Sequence, residues 1–219
     1  VSIIWGALGA IGSRNLLRLV SYTSVSHFGF MVLGIYAFTT ASMSGSILYM
    51  LNHGFSTAAM FLVVGFMAKR TGSYDIAAYG GVQKVAPVTA GVLLVSGLSV
   101  LSLPGLGPFV SEFMVIAGTW SRYPIVTAVS IIGVVLAAVY VLRMYQRTMT
   151  GPISEATAAQ FTGRDLTGVE KAVMVPIIGI LLFLGFVPQP AVQLVEPTAK
   201  ATLAYVGTTD PAPVVKGAK

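Results

Sequence analysis

The sequence predicts an all-α integral membrane protein, a bundle of five full transmembrane helices, one of them discontinuous, preceded by a truncated N-terminal helix. Three observations carry this. The chain is 55% hydrophobic and only 9% charged, where an ordinary soluble domain carries roughly 25% charged residues. Its mean hydropathy is +0.84, so the solvent for most of its length is lipid. Its apolar runs also recur near the ~20 residues that a helix needs to cross a bilayer. The 24 glycines suit helices that approach closely with no hydrophobic drive between them. With no cysteine, disulfides, thiolate metal sites and iron–sulfur clusters are excluded from this chain. A net charge of +6 could suggest nucleic acid, but the basic residues stand singly at helix ends, which reads as membrane topology.

The elements follow in order. Residues 1–12 open without Met or a basic region and are too short to span, so they are expected to be the end of a helix that begins upstream. Within residues 13–147 four spans are expected: Leu16 to Phe38, Ser44 to Met67, a broken helix over residues 85–120, and Ile125 to Met144. Residues 148–168 are polar and read as a loop, and residues 169–187 form the last span. After Pro188-Gln189-Pro190, Ala191 to Val206 is expected to lie as a helix at the interface, and Thr208 to Lys219 to be a flexible tail.

Charge orients these spans. If they alternate, one face receives Arg14, Arg18, Lys69, Arg70, Lys84, Arg143, Arg147, Arg164 and Lys171, and the opposite short loops receive only Arg122. The positive-inside rule puts the first group in the cytoplasm and the C-terminus outside.

The overlong third segment is the anomaly. From Ala86 to Trp120 a straight helix would run about 52 Å against a ~30 Å hydrocarbon core. The expected break is at Leu103-Pro104-Gly105-Leu106-Gly107-Pro108, where Pro104 and Pro108 remove backbone donors and Gly105 and Gly107 permit non-helical dihedrals. Unpaired backbone at membrane depth is tolerated only against protein or water, and transporters place their ions at such breaks. Four residues past Pro108 sits Glu112, the one acid placed away from the ends of these spans. A mid-membrane charge costs about 2.5–3.5 kcal/mol on insertion scales. Glu112 is therefore either a proton carrier beside a hydrated break or a carboxylate stapled to a cation on another helix. His53, mid-span in Leu51-Asn52-His53-Gly54-Phe55, suits proton exchange near neutrality; the alternative is a histidine hydrogen-bonded across helices near Asn52 and Ser56. His27, beside Thr23 and Ser24, reads as a packing or water-binding group or as a further relay residue. Arg14 with Arg18 reads as a snorkelling pair at the interface, and Arg143 with Arg147 as anchors or contacts to a neighbour. No Walker loop, dinucleotide fingerprint, metal cluster or nucleophile elbow is present.

Three stretches carry a resemblance: Ser21-Tyr22-Thr23-Ser24-Val25-Ser26-His27-Phe28-Gly29-Phe30, Leu51-Asn52-His53-Gly54-Phe55-Ser56-Thr57-Ala58-Ala59-Met60-Phe61, and Leu103-Pro104-Gly105-Leu106-Gly107-Pro108-Phe109-Val110-Ser111-Glu112-Phe113. With them the chain, from about Gly9 to Pro190, resembles the M-type antiporter-like membrane subunits of bacterial respiratory complex I (NADH-quinone oxidoreductase), in the Mrp-antiporter-like family. The resemblance implies a fourteen-helix subunit of two inverted five-helix repeats, of which this chain is the second. It implies that the broken helix is the twelfth and that Glu112 is the ionisable residue of an outer half-channel, with His53 and His27 matching family histidines of a proton relay. It further implies a proton-translocating subunit with no redox centre of its own, flavin and iron–sulfur clusters residing in partner subunits. Its partners would be L-like and N-like antiporter subunits, small helical subunits and the lipid bilayer, with no nucleic acid. Its place would be the bacterial inner membrane, multi-pass, with a periplasmic C-terminus. Two departures stand out. Asn15-Leu16-Leu17-Arg18-Leu19 replaces the family's Asp-x-Lys-Arg-Leu, so a relay role for that lysine does not carry over. Thr57 stands where L-type subunits carry a lysine. The rival readings are an Mrp-type sodium/proton antiporter subunit and a structural bundle in which Glu112 is an ion-pair staple.

Overall fold

The computed structural model describes residues 1–161 and 163–211; the tail expected over Thr208 to Lys219 lies largely outside the described residues. These fold into nine α-helices, and no strand occurs among them. The helices are α1 (Ser2–Gly12), α2 (Leu16–Tyr36), α3 (Thr40–Thr71), α4 (Pro87–Val100), α5 (Gly107–Trp120), α6 (Pro124–Met149), α7 (Glu155–Phe161), α8 (Gly168–Phe186) and α9 (Gln189–Val206). Of these, α2, α3, α6 and α8 are long and apolar enough to cross a membrane.

Helix ends are written locally. The Asn15 side chain accepts from the Arg18 amide at 3.1 Å and opens α2. Thr39 and Ser42 form a capping box at the start of α3, and Gly72, at φ 70°, closes that helix in the left-handed conformation. Lys69 and Arg70 occupy its last turn, where they oppose the negative end of the dipole. Thr167 and Glu170 box the start of α8. Prolines at the first turns of α4, α5, α6 and α9 fall where the amide has no helical partner.

At 32 residues, α3 is about 48 Å long and forms the axis of the bundle, packing against α2, α4, α5, α8 and α9. The α3–α5 seam is made of small residues. A methyl group added at Gly45 would sit 2.7 Å from the Met114 Cβ and 2.9 Å from the Val115 amide nitrogen, so the two backbones nearly touch there. The main apolar cluster, including Leu16, Leu19, Met60, Met67, Leu93 and Met144, lies toward the end that carries the arginines.

The stretch read as a loop over residues 148–168 contains α7, whose Thr157 and Phe161 are buried. That stretch also does structural work. Asp165 accepts from the Val88 amide (2.8 Å), the Thr89 amide (2.9 Å) and the Thr89 hydroxyl (2.7 Å), so it caps α4 from 77 residues away. Partial burial pushes the Asp165 carboxyl up, but these bonds and that from the Leu166 amide outweigh it and hold the group below its ordinary value. Arg70, at the end of α3, clasps the same segment. It donates to the carbonyls of Arg164 (2.8 Å) and Asp165 (2.9 Å) and forks onto Glu170 at 3.1 and 2.6 Å. At the other end of the bundle, α9 lays Ala199 and Leu203 against Met43. There Asp210 accepts from the Thr40 amide at 2.6 Å.

Candidate functional site

Residues 101–106 separate α4 from α5, and the break begins before any proline. Helix α4 closes in a Schellman pattern: the Leu103 amide donates to the Leu98 carbonyl (3.0 Å) and the Ser102 amide to that of Ser99 (3.0 Å). This motif calls for a left-handed residue, normally glycine, and here Ser102 fills it at φ 58°. A side chain held in that conformation stores strain. In return the Ser102 hydroxyl points at Glu112, whose Oε2 accepts from it at 2.9 Å. Of the expected breakers, Pro104 and Gly105 lie in the break, Gly105 at φ 94°, whereas Gly107 and Pro108 are the first residues of α5.

Glu112 is 6% exposed. Its second hydroxyl donor is Tyr49 of α3, 0% exposed, at 2.5 Å from the same Oε2. Among the described residues no lysine or arginine lies within 4.0 Å of this carboxylate; the ion pairs there are Arg70–Glu170 and Lys200–Glu196. The staple reading therefore has no partner for Glu112 among the described residues. Hydroxyl groups, which can donate to a carboxylate and accept from a carboxylic acid, can accompany the group in either protonation state.

Helical spacing on α3 extends the site. Tyr49, Asn52, His53 and Ser56 are all buried and follow the i, i+3, i+4, i+7 pattern of one face. Asn52 donates to the Gly107 carbonyl (2.8 Å) and the Ser111 hydroxyl (3.2 Å), which fixes the start of α5 against α3. Its Oδ1 is buried without a partner. His53 meets His27 of α2, Nδ1 to Nδ1, at 3.2 Å, and also meets the Thr57 hydroxyl at 3.1 Å. The His27 ring centroid lies 5.9 Å from that of Tyr49, and its Nε2 lies 3.5 Å from the Tyr140 hydroxyl of α6. Glu112, Tyr49, His27 and His53 thus lie together, buried, where α2, α3 and α5 meet, in two hydrogen-bonded pairs, Tyr49 with Glu112 and His27 with His53, brought side by side by the Tyr49 and His27 rings. Thr23 and Ser24, singled out as neighbours of His27, instead donate to the Val20 carbonyl within their own helix.

Sequence reasoning passed over Tyr49, Ser102 and Tyr140. Tyr49 had a signal, since it precedes His53 by one helical turn. Ser102 had none, because the left-handed position is normally announced by glycine. On α3, Ser44 lies five residues before Tyr49, about 7.5 Å along the axis. Its hydroxyl is buried without a partner and lines a cavity of about 490 Å³ that Glu196 and Asp210 border on the outside. Among the described residues no three His, Cys, Asp or Glu side chains group as metal ligands.

Comparison with known proteins bears on this arrangement. Residues 1–139 match the family described as NADH:quinone oxidoreductase/Mrp antiporter, transmembrane. The chain is 51% identical over 215 residues to NADH-quinone oxidoreductase subunit M of Mycobacterium tuberculosis (strain ATCC 25618 / H37Rv), which covers 98% of this chain and 38% of that protein. It is 32% identical over 203 residues to the protein of the same name from Rickettsia felis, covering 93% and 41%. The chain therefore spans about two fifths of the length of these relatives. Among solved structures, one chain of the respiratory complex I from Thermus thermophilus with bound NADH superposes with a TM-score of 0.88 at 28% identity, over 94% of this chain and 43% of that one. A chain of the Mrp complex from Dietzia sp. DQ12-45-1b shares the fold, with a TM-score of 0.78 at 23% identity over 92% and 45%.

Proposed function

From the premise that the chain belongs to the NADH:quinone oxidoreductase/Mrp antiporter transmembrane family, we propose that it is the second inverted repeat of a fourteen-helix, proton-translocating membrane subunit of bacterial NADH-quinone oxidoreductase. In this reading α4 and α5 together make the fifth, discontinuous crossing, the twelfth helix of the whole subunit. The observation that carries it is the Glu112 carboxylate, buried at a helix break and bonded only to neutral hydroxyls among the described residues, one of them that of Tyr49, whose ring lies beside the His27–His53 pair.

A proton reaching the histidine pair passes by way of Tyr49 to Glu112, and the buried Ser44 cavity is its outlet. The arginine-bearing end of the bundle faces the cytoplasm of a bacterial inner membrane; α9 and the C-terminus lie on the periplasmic side. Energy comes from partner subunits that hold flavin and iron–sulfur clusters. L-like and N-like antiporter subunits and small helical subunits flank the protein, making it part of a translocase. The identity shared with proteins named subunit M favours this over an Mrp-type sodium/proton antiporter, whose structural likeness at 23% identity speaks for the fold alone.

The test is Glu112→Gln in the full-length subunit within its assembled complex, reconstituted into vesicles. NADH-driven proton pumping is expected to fall by roughly a hundredfold, the scale of losing one positioned proton-transfer group, while the complex still assembles. Undiminished pumping overturns the proposal. Pumping that depends on sodium, in a complex without NADH-oxidising partners, selects the antiporter reading.

A further inference from the structure

At the end of the bundle remote from α9, three cavities adjoin one another. One, of about 430 Å³, is lined by Arg14, Asp75 and Arg147 among others. A second, of about 410 Å³, is lined by Arg14, Arg18 and Tyr22. A crevice containing Ser13, Arg143 and Arg147 joins them, sharing Ser13 with one and Arg147 with the other. All four arginines are exposed, and among the described residues none has a carboxylate within 4.0 Å. Four guanidinium groups thus face one carboxylate, and that of Asp75 already accepts from the Ala77 amide at 3.0 Å. Arg18 is set in place over the Tyr22 ring, 5.6 Å from its centroid.

The surface beneath has the opposite character. Helices α1 and α6 pack together, and from the arginine belt toward the middle of the bundle they present Leu8 and Trp5, and Val139 and Val135, with exposures between 43% and 67%. Adjoining cationic cavities of about 410 and 430 Å³ rimmed by forked donors, standing above a two-helix apolar surface, match the head and tails of one kind of molecule. We propose that Arg14, Arg18, Arg143 and Arg147 form a binding site for the phosphodiester headgroup of an anionic phospholipid, its acyl chains lying along α1 and α6. The sequence pattern alone explained these residues as two separate pairs, Arg14 with Arg18 as interfacial anchors and Arg143 with Arg147 as anchors or contacts to a neighbour. Their convergence on connected cavities, unpaired by acids, makes them one site.

The experiment uses the full-length subunit in its assembled complex, placed in nanodiscs of phosphatidylcholine mixed with phosphatidylglycerol. Lipid that stays bound through detergent exchange is identified by mass spectrometry. The wild-type complex is expected to retain phosphatidylglycerol preferentially. Arg14→Gln combined with Arg147→Gln should lower that preference by roughly tenfold or more, and Arg14→Lys with Arg147→Lys should keep most of it. Excess inorganic phosphate should not displace the lipid. No enrichment of phosphatidylglycerol on the wild-type complex, an unchanged preference in the glutamine variant, or displacement by inorganic phosphate each overturns the proposal. The wild-type measurement stands even where a variant fails to assemble.

Discussion

The clasp between α3 and the start of α8 lends itself to a quantitative prediction. Arg70 and Glu170 have side chains 9% and 10% exposed and approach to 2.6 Å. Removing one partner of a buried pair costs about 3–5 kcal/mol where the remaining charge has no other partner. The two partners are not equally provided for. Without Arg70, the Glu170 carboxylate keeps only Thr167, through its amide at 2.8 Å and its hydroxyl. Without the Glu170 charge, Arg70 still donates to the carbonyls of Phe66, Arg164 and Asp165. Arg70→Met should therefore destabilise the protein by about 2–4 kcal/mol, and Glu170→Gln by about 1–2 kcal/mol, the scale of one charge-assisted hydrogen bond. The double variant should be less destabilised than the sum by about 1 kcal/mol or more. The assay is SDS-driven unfolding of the full-length subunit in mixed micelles, followed by circular dichroism. A Glu170→Gln cost equal to that of Arg70→Met would refute the reasoning, as would costs that add within about 0.5 kcal/mol.

Three further outcomes follow from geometry already described. Tyr49→Phe keeps the ring in its buried place but removes the donor at 2.5 Å from Glu112, so pumping should fall several-fold at unchanged assembly; a pumping rate equal to wild type removes Tyr49 from the path. Asp165 contributes to stability chiefly as a carboxylate. Because its folded value is depressed, that contribution is present above the ordinary value of about 3.9 and fades as pH falls through the lower folded value. Asp165→Ala should cost about 1 kcal/mol near neutrality, with the difference from wild type shrinking in acid; a gap that is constant down to the acid limit counts against the cap. Gly45→Val forces a methyl group into the α3–α5 seam and should destabilise by about 1–3 kcal/mol, read in the same unfolding assay; a variant as stable as wild type would mean that the seam is looser than described.

The spans were legible because lipid demands long apolar runs, and the break between α4 and α5 because an apolar segment of that length cannot fit one bilayer as a straight helix. Glu112 was legible because a carboxylate among apolar residues is costly enough to need a reason. What escaped has a common physical cause. In a membrane helix both the lipid-facing and the protein-facing sides are apolar, so pattern does not say which tyrosine turns inward; Tyr140 looked like filler, and Tyr49 was marked only by its spacing from His53. Asp165 looked like a loop residue, since its partners on α4 lie 77 and 76 residues earlier in the chain. The strained Ser102 was invisible for the opposite reason, being an ordinary residue in a position that usually advertises itself with glycine. Helix α7 was missed because it is only seven residues long and buries just Thr157 and Phe161, too few to print an apolar period.

Helices α4 and α5, on either side of the break, both pack on α3 but are fixed by different means. Helix α5 is pressed backbone to backbone against α3 at Gly45, and Asn52 ties down its first turn. Helix α4 hangs by its first turn from Asp165, and so from the segment that Arg70 clasps. Residues 101–106 join the two helices, and Ser102 stands among them with its hydroxyl on Glu112. The cap that holds α4 and the seat that holds α5 on α3 therefore meet at the buried acid, where a change in either is read as a longer or shorter hydrogen bond.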